Sequence, residues 1–540
     1  MSVVKYKNLR ILVADDFSNF RTSVCQMLAE LGVVEVHTAS SAEETVESCV
    51  KNTFDVVLCD YNLGVGRSGQ HVLEELRFRR GIDHRSLFII LSAETSRSIV
   101  MSAYDSQPDD YMMKPINSNM LGKRLARLLK QREALKPIYS ALCKGNTPVA
   151  VDLLIDLSLS ESRFAVPAQK MLGEQFIAMG ELDKAERVYT KALEARPLDW
   201  ARLGLAKVKQ LRGELDIAGS WLEKIVSDSP LYLPAYDVLA DNWERLGENK
   251  HMQAAVQRSV DISPMSILRQ QRLADVAHSN NDIATALEAL RRAVKLGELS
   301  CYGCAEDHFD FARIAASAAE QKMDLPAGTA DEALQVLQNA SQRFALTPNQ
   351  MAQFKLLSSR VHMLENHSDA ADQLFEEAEA LFSDQTLGID ADIERIATLL
   401  SRGKKSAAKG MLAELQEYYI GDQSALEKID CFLNEPVSES NIQRIAQINQ
   451  EGIVLHNNAN YDDALQCFEK ARKLFPKHVG IQLNIVQSLI GKMKLDTANQ
   501  DERDQCFAAL TLVDSLIDEQ HPQFDRYSRL KVMAKNIKGT

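Results

Sequence analysis

The chain has 540 residues, of which 45% are hydrophobic and 25% are charged, a composition typical of soluble globular proteins with several domains. Its 24 Gly and 14 Pro fall well below ordinary usage, which favours long helices over elaborate loops. The net charge of −13 argues against nucleic-acid binding. No apolar run reaches the roughly 18 residues needed to cross a bilayer. The 9 scattered cysteines indicate a reducing compartment, so we expect a cytoplasmic protein without membrane insertion.

The first 135 residues alternate short β-branched runs with amphipathic stretches. The predicted strands are 9–14, 33–38, 54–59, 87–91 and 110–113. The predicted helices are 19–31, 42–50, 70–79, 96–104 and 117 to about 135. This alternation predicts an α/β doubly wound domain, residues 1–135, with a five-stranded parallel sheet covered on both faces by helices.

From residue 136 onward the pattern is helical, and small or cyclic residues recur at a fixed period. Spacings of 33 and 34 residues separate the members of two series, Gly180, Gly213 and Gly247, and Pro197, Pro230 and Pro264. This period resembles the tetratricopeptide repeat, in which paired helices stack into a solenoid. We therefore expect an all-α repeat solenoid after the first domain.

Two segments fit this repeat best, and in both of them small residues at helix crossings face large ones. The residues predicted to pack within repeats are Leu172, Gly173, Phe176, Ala185, Tyr189, Ala192, Ala464, Phe468 and Ala471. Between the two segments the match weakens, which leaves degenerate repeats or an irregular helical bundle as alternatives. A polar turn at 434–440 suggests a division into helical repeats at 136–433 and C-terminal repeats at 434–540.

Chemically active side chains follow the predicted strands where each strand ends. Asp15 and Asp16 follow the first strand. Asp60 follows the third strand, Ser92 the fourth and Lys114 the fifth. Because the carboxyl ends of parallel strands meet at one edge of the sheet, we expect these groups to converge there.

The residue types at this edge predict phosphoryl chemistry. Clustered carboxylates repel one another unless a cation neutralises them, and oxygen ligands without thiol or imidazole select Mg²⁺ or Mn²⁺. Asp60 can then attack a phosphoryl donor while Lys114 takes up charge on the phosphoryl oxygens. The hydroxyl of Ser92 and the backbone N–H of Ala93 can bind the transferred group, and Lys114-Pro115 favours a cis peptide.

At these residues the segment resembles the receiver domain of two-component response regulators, which has a flavodoxin-like fold. The resemblance implies that Asp60 accepts a phosphoryl group from a sensor histidine kinase or a phosphotransfer protein. It also implies that Asp16 binds Mg²⁺ directly, with Asp15 acting through water and Asn62 offering its backbone carbonyl. Ser92 and Tyr111 would form the switch pair.

Two further positions in this family, two residues beyond the acceptor and two beyond the hydroxyl, tune the lifetime of the phosphoryl group. Here they are Asn62 and Glu94, polar groups able to position water, so we expect a short-lived phosphoryl group. The loop after Asp60 departs from the usual pattern. Leu63-Gly64 replaces Met-Pro, and Gly69 stands nine residues after Asp60 instead of eight. The shape of this loop is therefore not predicted, whereas the assignment of Asp60 as acceptor is unaffected.

The expected output is protein binding by the repeats under control of phosphorylation, without enzymatic activity beyond the receiver's own phosphoryl transfer and autodephosphorylation. The helical part carries no phosphate-cradling loop, and its only metal-like motif, Cys301 and Cys304 with His308, lacks a fourth zinc ligand. The whole resembles receiver–tetratricopeptide fusions of bacteria. Three alternatives stay open: a modulator of a kinase phosphorelay, a phosphate sink and, less favoured, a transcription regulator. Homodimer formation is also left open.

Overall fold

The computed structural model describes residues 6–82, 86–382, 386–495 and 498–538. It divides into two compact units, residues 1–345 and 346–540. This division does not test the domain boundaries predicted at 135/136 and 433/434, which stay predictions. Within the described residues, no helix combines the length and the apolar character that crossing a membrane requires.

The N-terminal region of the first unit alternates strands and helices as predicted. The strands are β1 (Arg10–Ala14), β2 (Glu35–Ala39), β3 (Val56–Asp60), β4 (Leu87–Ser92) and β5 (Asp110–Met113). The helices are α1 (Ser18–Glu30), α2 (Ala42–Lys51), α3 (Gly69–Phe78), α4 (Arg97–Asp105) and α5 (Ser118–Cys143). Element boundaries agree with the predicted ones to within two residues, except at the end of α5.

The five strands form one parallel sheet in the order β2-β1-β3-β4-β5. One face carries Ile11, Val13 and Leu58, which pack with buried residues of α1 and α5. The opposite face carries Leu12 and Val57, which pack with buried residues of α2 and α3. Because both faces are covered, β1, β3 and β4 are apolar along almost their whole length, and their polar groups lie at the strand ends. The edge strand β2 is mostly exposed and polar.

Helix α5 corrects the predicted end near residue 135, because it continues to Cys143 and contains Pro137. Proline costs about 3 kcal/mol inside a helix. The added turns bury Leu135, Ile138 and Ala141 in a core shared with the following helices, and this burial offsets that cost. The first domain therefore runs into the helical region without a break in the helix.

The rest of the first unit consists of helices stacked in sequence. They are α6 (Thr147–Leu159), α7 (Ala165–Ala178), α8 (Leu182–Ala195), α9 (Asp199–Leu211), α10 (Leu215–Asp228), α11 (Leu233–Leu246), α12 (Asn249–Ile262), α13 (Ile267–Ser279), α14 (Ile283–Gly297), α15 (Ala305–Glu320) and α16 (Thr329–Arg343). Helices α7, α9, α11 and α13 begin at residues 165, 199, 233 and 267, a constant interval of 34 residues. The sequence period thus corresponds to a repeating pair of helices.

The turns and crossings within these pairs use small residues for two distinct reasons. Gly247 ends α11 with a φ of 72°, a left-handed conformation that favours glycine. Gly173 and Gly204 lie against the ring of Tyr189, where an added Cβ would approach ring atoms to 2.5 and 2.4 Å. The residues predicted to pack in this repeat are all buried, namely Leu172, Phe176, Ala185, Tyr189 and Ala192.

The second unit is helical throughout its described residues. Its helices are α17 (Pro348–Leu364), α18 (Ser368–Phe382), α19 (Ile389–Ser401), α20 (Lys405–Tyr418), α21 (Gln423–Asp430), α22 (Glu439–Asn457), α23 (Tyr461–Leu474), α24 (Val479–Lys494), α25 (Gln500–Asp514) and α26 (Phe524–Lys538). Two apolar cores lie within it, one spanning residues 352–429 and one spanning 445–534. Ala464, Phe468 and Ala471 are buried in the second core.

Candidate phosphoryl-acceptor and metal site

Three carboxylates meet at the carboxyl edge of the sheet. Asp15 and Asp16 directly follow β1, and Asp60 is the last residue of the adjacent strand β3. One carboxylate oxygen from each lies within 4.8 Å of the others. Asp15 and Asp60 are buried, with 0% and 5% of their surface exposed, and Asp16 is half-buried. The convergence predicted from the strand ends is therefore present in the fold.

Lys114, which follows β5, bridges two of these carboxylates. Its Nζ lies 2.8 Å from Oδ2 of Asp15 and 2.9 Å from Oδ2 of Asp60. The ammonium also sits over the ring of Phe20, 4.0 Å from the ring centroid, and the Lys114-Pro115 peptide is cis. A cation held by two acids and an aromatic face has a fixed position beside the oxygens of Asp60.

Burial raises the pKa of the Asp60 carboxyl to about 6, because the charged form loses its hydration. Lys114 opposes this change through a hydrogen bond and its positive charge, whereas the nearby Asp15 adds to it. A second positive charge at this edge would favour the ionised form further.

The donor atoms fit a small hard cation. Oδ1 of Asp16 is buried and has no hydrogen-bond partner, although a buried carboxylate oxygen normally has one. Among the described residues, the candidate metal ligands that converge here are carboxylate oxygens, the ligand type that Mg²⁺ or Mn²⁺ prefers. These oxygens can therefore hold the divalent cation predicted from the sequence.

Arg21 on α1 fixes the backbone that presents the acid pair. Its guanidinium donates to the backbone oxygens of Asp15, at 2.5 Å, and Asp16, at 3.1 Å. The backbone N–H of Phe17 donates to Oδ1 of Asp15 at 2.9 Å. Neither Arg21 nor Phe20 was predicted from the sequence as a residue of the site. Their positions one turn after the acid pair were the available signal.

Gly69 shows how the unusual loop after Asp60 closes. It begins α3, and its N–H donates to the carbonyl of Tyr61 at 2.8 Å. An added Cβ would lie 2.2 Å from the backbone oxygen of Asp60, so no other residue fits without moving the acceptor strand. The nine-residue spacing therefore still places a glycine against Asp60.

The remaining predicted phosphoryl-binding groups lie around the end of β4. Ser92 is buried, and its Oγ accepts a hydrogen bond from the N–H of Glu94 at 3.0 Å. Its carbonyl accepts from the N–H of Lys114 at 2.7 Å, which ties β4 to the start of the lysine segment. Ala93 and Asn62 are exposed, and Oδ1 of Asn62 accepts from the N–H of Gly64 at 3.3 Å.

Tyr111, the predicted switch residue, lies on β5 with only 6% of its surface exposed. Its ring stacks on Tyr104 of α4, with centroids 5.8 Å apart and an angle of 29° between the planes. Its hydroxyl is buried, and burial raises its pKa, an effect that the side chain of Ser92 opposes. The sequence did not predict the contact with Tyr104, which links β5 to the last turn of α4.

The cysteine pair in the helical region has no metal-site geometry. Burial raises the pKa of Cys301 to about 11 and that of Cys304 to about 12, so both thiols are protonated at neutral pH. The imidazole Nδ1 of His308 lies 3.0 Å from the backbone oxygen of Cys304. These contacts are those of a packed interhelical turn.

Comparisons with known proteins agree with the site. Residues 11–126 match the family model of the response regulator receiver domain. The chemotaxis protein CheY-3 of Vibrio cholerae is 28% identical over 131 residues, which cover 24% of this chain and 99% of CheY-3. The chemotaxis protein CheY of Pseudomonas aeruginosa is 23% identical over 123 residues, which cover 23% of this chain and 98% of CheY.

A solved CheY-like receiver domain protein from Methanospirillum hungatei is 27% identical, with a TM-score of 0.21, and the match covers 23% of this chain and 96% of that one. All of these matches are confined to about the first quarter of the chain. By the family model and the curated relatives, residues 11–126, with their acid cluster and bridging lysine, form a response regulator receiver domain homologous to the CheY proteins.

Proposed function

We propose that this protein is a phosphorylation-controlled signalling protein of a two-component system. In this proposal Asp60 accepts a phosphoryl group from a sensor histidine kinase or a phosphotransfer protein, and the phosphorylated receiver changes protein binding by the helical repeats. The observation that carries it is the contact of Lys114 with both Asp15 and Asp60 beside the unpartnered oxygen of Asp16.

Asp16 and Asp60 would hold Mg²⁺ through carboxylate oxygens, with Asp15 acting through water and Asn62 through its backbone carbonyl. The bound cation supplies charge stabilisation to the phosphoryl oxygens and counters the repulsion among the acids. A carboxylate oxygen of Asp60 forms the new bond to phosphorus, and the bond to the donor's leaving atom breaks with its electron pair. Lys114 stabilises the transferred charge, and Ser92 and the N–H of Ala93 bind the transferred group.

The helical region supports the repeat part of the proposal. The first helices of four successive pairs, α7, α9, α11 and α13, start at 34-residue intervals, and small residues lie where helices cross, as in tetratricopeptide repeats. Such solenoids present an extended surface to segments of other proteins. We therefore assign the output to a protein target rather than to a nucleic acid or a small substrate.

The central test is phosphorylation of the full chain with acetyl phosphate and Mg²⁺, followed on phosphate-affinity gels. Wild type should show a single phosphorylated band that Asp60→Ala and chelation of Mg²⁺ both abolish. Asp110→Ala is the matched control, because this acid lies on the same sheet but pairs with Arg124 and Arg127 instead of the site. Equal labelling of wild type and Asp60→Ala would overturn the proposal.

The rate of phosphoryl loss tests the roles of Asn62 and Glu94. Both are polar, so we expect a half-life of minutes rather than many hours after excess acetyl phosphate is removed. Replacing both by Ala should lengthen the half-life several-fold without changing the labelled residue. A wild-type half-life of many hours would contradict the proposed role of these two residues in positioning water.

Affinity capture and kinase assays with wild type, Asp60→Ala and beryllofluoride-treated protein separate the proposed output from the alternatives. A non-kinase partner whose binding follows the state of Asp60 identifies a switchable adaptor. A change in sensor-kinase output that persists with Asp60→Ala identifies a relay modulator. Loss of every effect on the kinase with Asp60→Ala identifies a phosphate sink.

A further inference from the structure

The receiver domain contacts helices α6–α16, which we call the helical array, at a second place besides its continuous helix α5. This second contact lies far along the chain from α5. Ser102 and Asp105 on α4 meet the segment between α12 and α13 and the first turn of α13. We call the contacts of Ser102 and Asp105 with Ser263, Met265 and Arg269 the α4 latch. Because residues 1–345 form one compact unit, the latch lies within a single body.

Arg269 is the centre of the latch. Its Nε and Nη2 donate to the two carboxylate oxygens of Asp105 at 2.8 and 2.9 Å. The same guanidinium donates to both carboxylate oxygens of Asp237 on α11, at 2.5 and 3.1 Å. The arginine side chain is 11% exposed, so the two carboxylates take the place of water in stabilising its buried charge. Fork-shaped contacts of this kind tolerate little displacement of either partner.

The serine contacts bring the backbone of the array against α4. Ser102 and Ser263 are both fully buried, and their hydroxyl oxygens lie 3.3 Å apart. The N–H of Met265 donates to the hydroxyl of Ser102 at 3.4 Å, and the hydroxyl of Ser263 donates to Asp105 at 3.1 Å. A shift of the last turn of α4 would therefore break these polar contacts and leave buried hydroxyl groups without their partners.

Near the latch, the segment between α14 and α15 contacts helix α3 of the receiver. The hydroxyl of Ser300, between α14 and α15, donates to Glu74 of α3 at 3.2 Å, and Phe78 meets Tyr302 edge to face with centroids 5.9 Å apart. A cavity of ≈ 310 Å³ separates these contacts from the latch and is lined by residues of both parts. Asp105 and Arg269 line this cavity, whereas Ser106, the residue after α4, is hydrogen-bonded to Arg77 and Glu74 of α3.

The same turn of α4 is connected to the phosphoryl-acceptor site. Ser92 ends β4, its hydroxyl holds the N–H of Glu94, and the following segment leads into the nine-residue helix α4. Tyr104, next to Asp105, stacks on Tyr111 of β5. A displacement at the start of so short a helix reaches its last turn, because the helix moves as a rigid element.

We propose that the α4 latch opposes phosphorylation of Asp60, so that a phosphoryl group that draws Ser92 toward Asp60 shifts α4 and releases Arg269. This inference rests on the proposed phosphorylation of Asp60. By thermodynamic reciprocity, a latch that phosphorylation opens also weakens phosphoryl binding while it is closed. Opening would expose the segment between α12 and α13 and the side of the Arg269 guanidinium that faces Asp105, as a charged surface for a protein target.

The test measures the affinity of the full chain for beryllofluoride with Mg²⁺ by calorimetry. Asp105→Ala removes only the receiver's half of the latch and leaves Arg269 paired with Asp237, so it should fold normally. Arg269→Ala removes the other half, and circular dichroism checks both folds. We expect each variant to bind beryllofluoride about fivefold or more tightly than wild type.

Arg272→Ala is the matched control, since Arg272 lies one turn further along α13 and pairs with Asp241 within the array. It should bind beryllofluoride as wild type does. Wild-type affinity, or weaker binding, in Asp105→Ala would overturn the latch while leaving the proposed function intact. Failure of wild type itself to bind, to the same extent as Asp60→Ala, would instead overturn the proposed function.

Hydrogen exchange on the same samples gives an independent readout. Beryllofluoride should speed amide exchange in peptides covering 263–269 in wild type, and these peptides should exchange fast in Asp105→Ala with or without it. Asp60→Ala should show no response. Unchanged exchange at 263–269 in wild type that has bound beryllofluoride would also overturn the latch.

Discussion

Individual side chains in this protein carry charge at positions where water is largely excluded, and Asp307 on α15 is one of them. It is 5% exposed, and both of its carboxylate oxygens accept from the Gln271 side chain at 2.9 Å. Burial raises the pKa of Asp307 to about 6. The folded protein therefore binds this proton more tightly than the unfolded chain does.

The expected consequence is a pH-dependent stability contribution from Asp307. As pH rises from about 4 to about 7, wild type should lose roughly 2–3 kcal/mol of free energy of unfolding relative to Asp307→Asn, which cannot ionise. Urea unfolding followed by circular dichroism at several pH values measures the difference. Glu306→Gln, at an exposed neighbouring position, should parallel wild type. Parallel curves for Asp307→Asn and wild type would refute the assignment.

At the scale of helix pairs, close approach depends on residues without side chains. Gly204 of α9 and Gly173 of α7 lie on either side of Tyr189, whose ring is 2% exposed. The ring cannot move away from an added methyl group without breaking the packing of three helices. The pattern of small and large residues in the sequence thus becomes a direct steric requirement.

Gly204→Ala should lower the free energy of unfolding by about 1–3 kcal/mol, because its Cβ would overlap the ring of Tyr189. Gly410→Ala is the control, since that glycine lies inside α20 with open space where a Cβ would go. This control should be neutral or add up to about 1 kcal/mol through higher helix propensity. Thermal unfolding by calorimetry compares the two, and equal effects would contradict the steric argument.

An ion pair joins two helices in the second unit with almost no contact with water. Arg360 of α17 and Glu394 of α19 have side chains that are 2% and 1% exposed, and their charged atoms lie 2.5 Å apart. Removing one partner leaves the other charge buried, which costs far more than the loss of an exposed pair. The geometry therefore singles out this pair among those of α19.

Glu394→Ala should destabilise the protein by about 3–5 kcal/mol in urea unfolding. Asp390→Ala removes an acid of the same helix whose pairing with Lys428 is half exposed, and it should cost less than about 1 kcal/mol. The difference between the two variants is the quantity to measure. Similar costs would show that burial does not decide the strength of this contact.

At the scale of the whole molecule, the apolar cores of the second unit are each built from helices that follow one another along the chain. The core spanning 445–534 uses only residues from α22 onward. Residues 434–540 expressed alone should therefore retain helical circular dichroism and melt cooperatively, in line with the predicted boundary. Asp430 accepts hydrogen bonds from the N–H of Val437 and the hydroxyl of Ser438, so residues 346–540 should melt at a higher temperature. A fragment without cooperative melting would contradict the boundary at 433/434.

The sequence by itself determined the elements whose signals are local. Apolar runs followed by Asp15, Asp60, Ser92 and Lys114 marked the strand ends, and parallel strands bring such ends to one edge regardless of loop detail. The 34-residue period likewise follows from spacing along the chain. These features survive in the fold because each depends on a regular geometry of helices and strands.

Only the tertiary structure decided the contacts between residues distant in sequence. Packing carried α5 past Pro137, since buried apolar surface outweighed a local cost. Arg269 meets Asp105 across 164 residues of chain, which no periodicity encodes. The charged residues of a sequence are candidates for ion pairs. Which acid a given arginine reaches depends on how all the intervening helices stack, and this stacking exists only in the folded molecule.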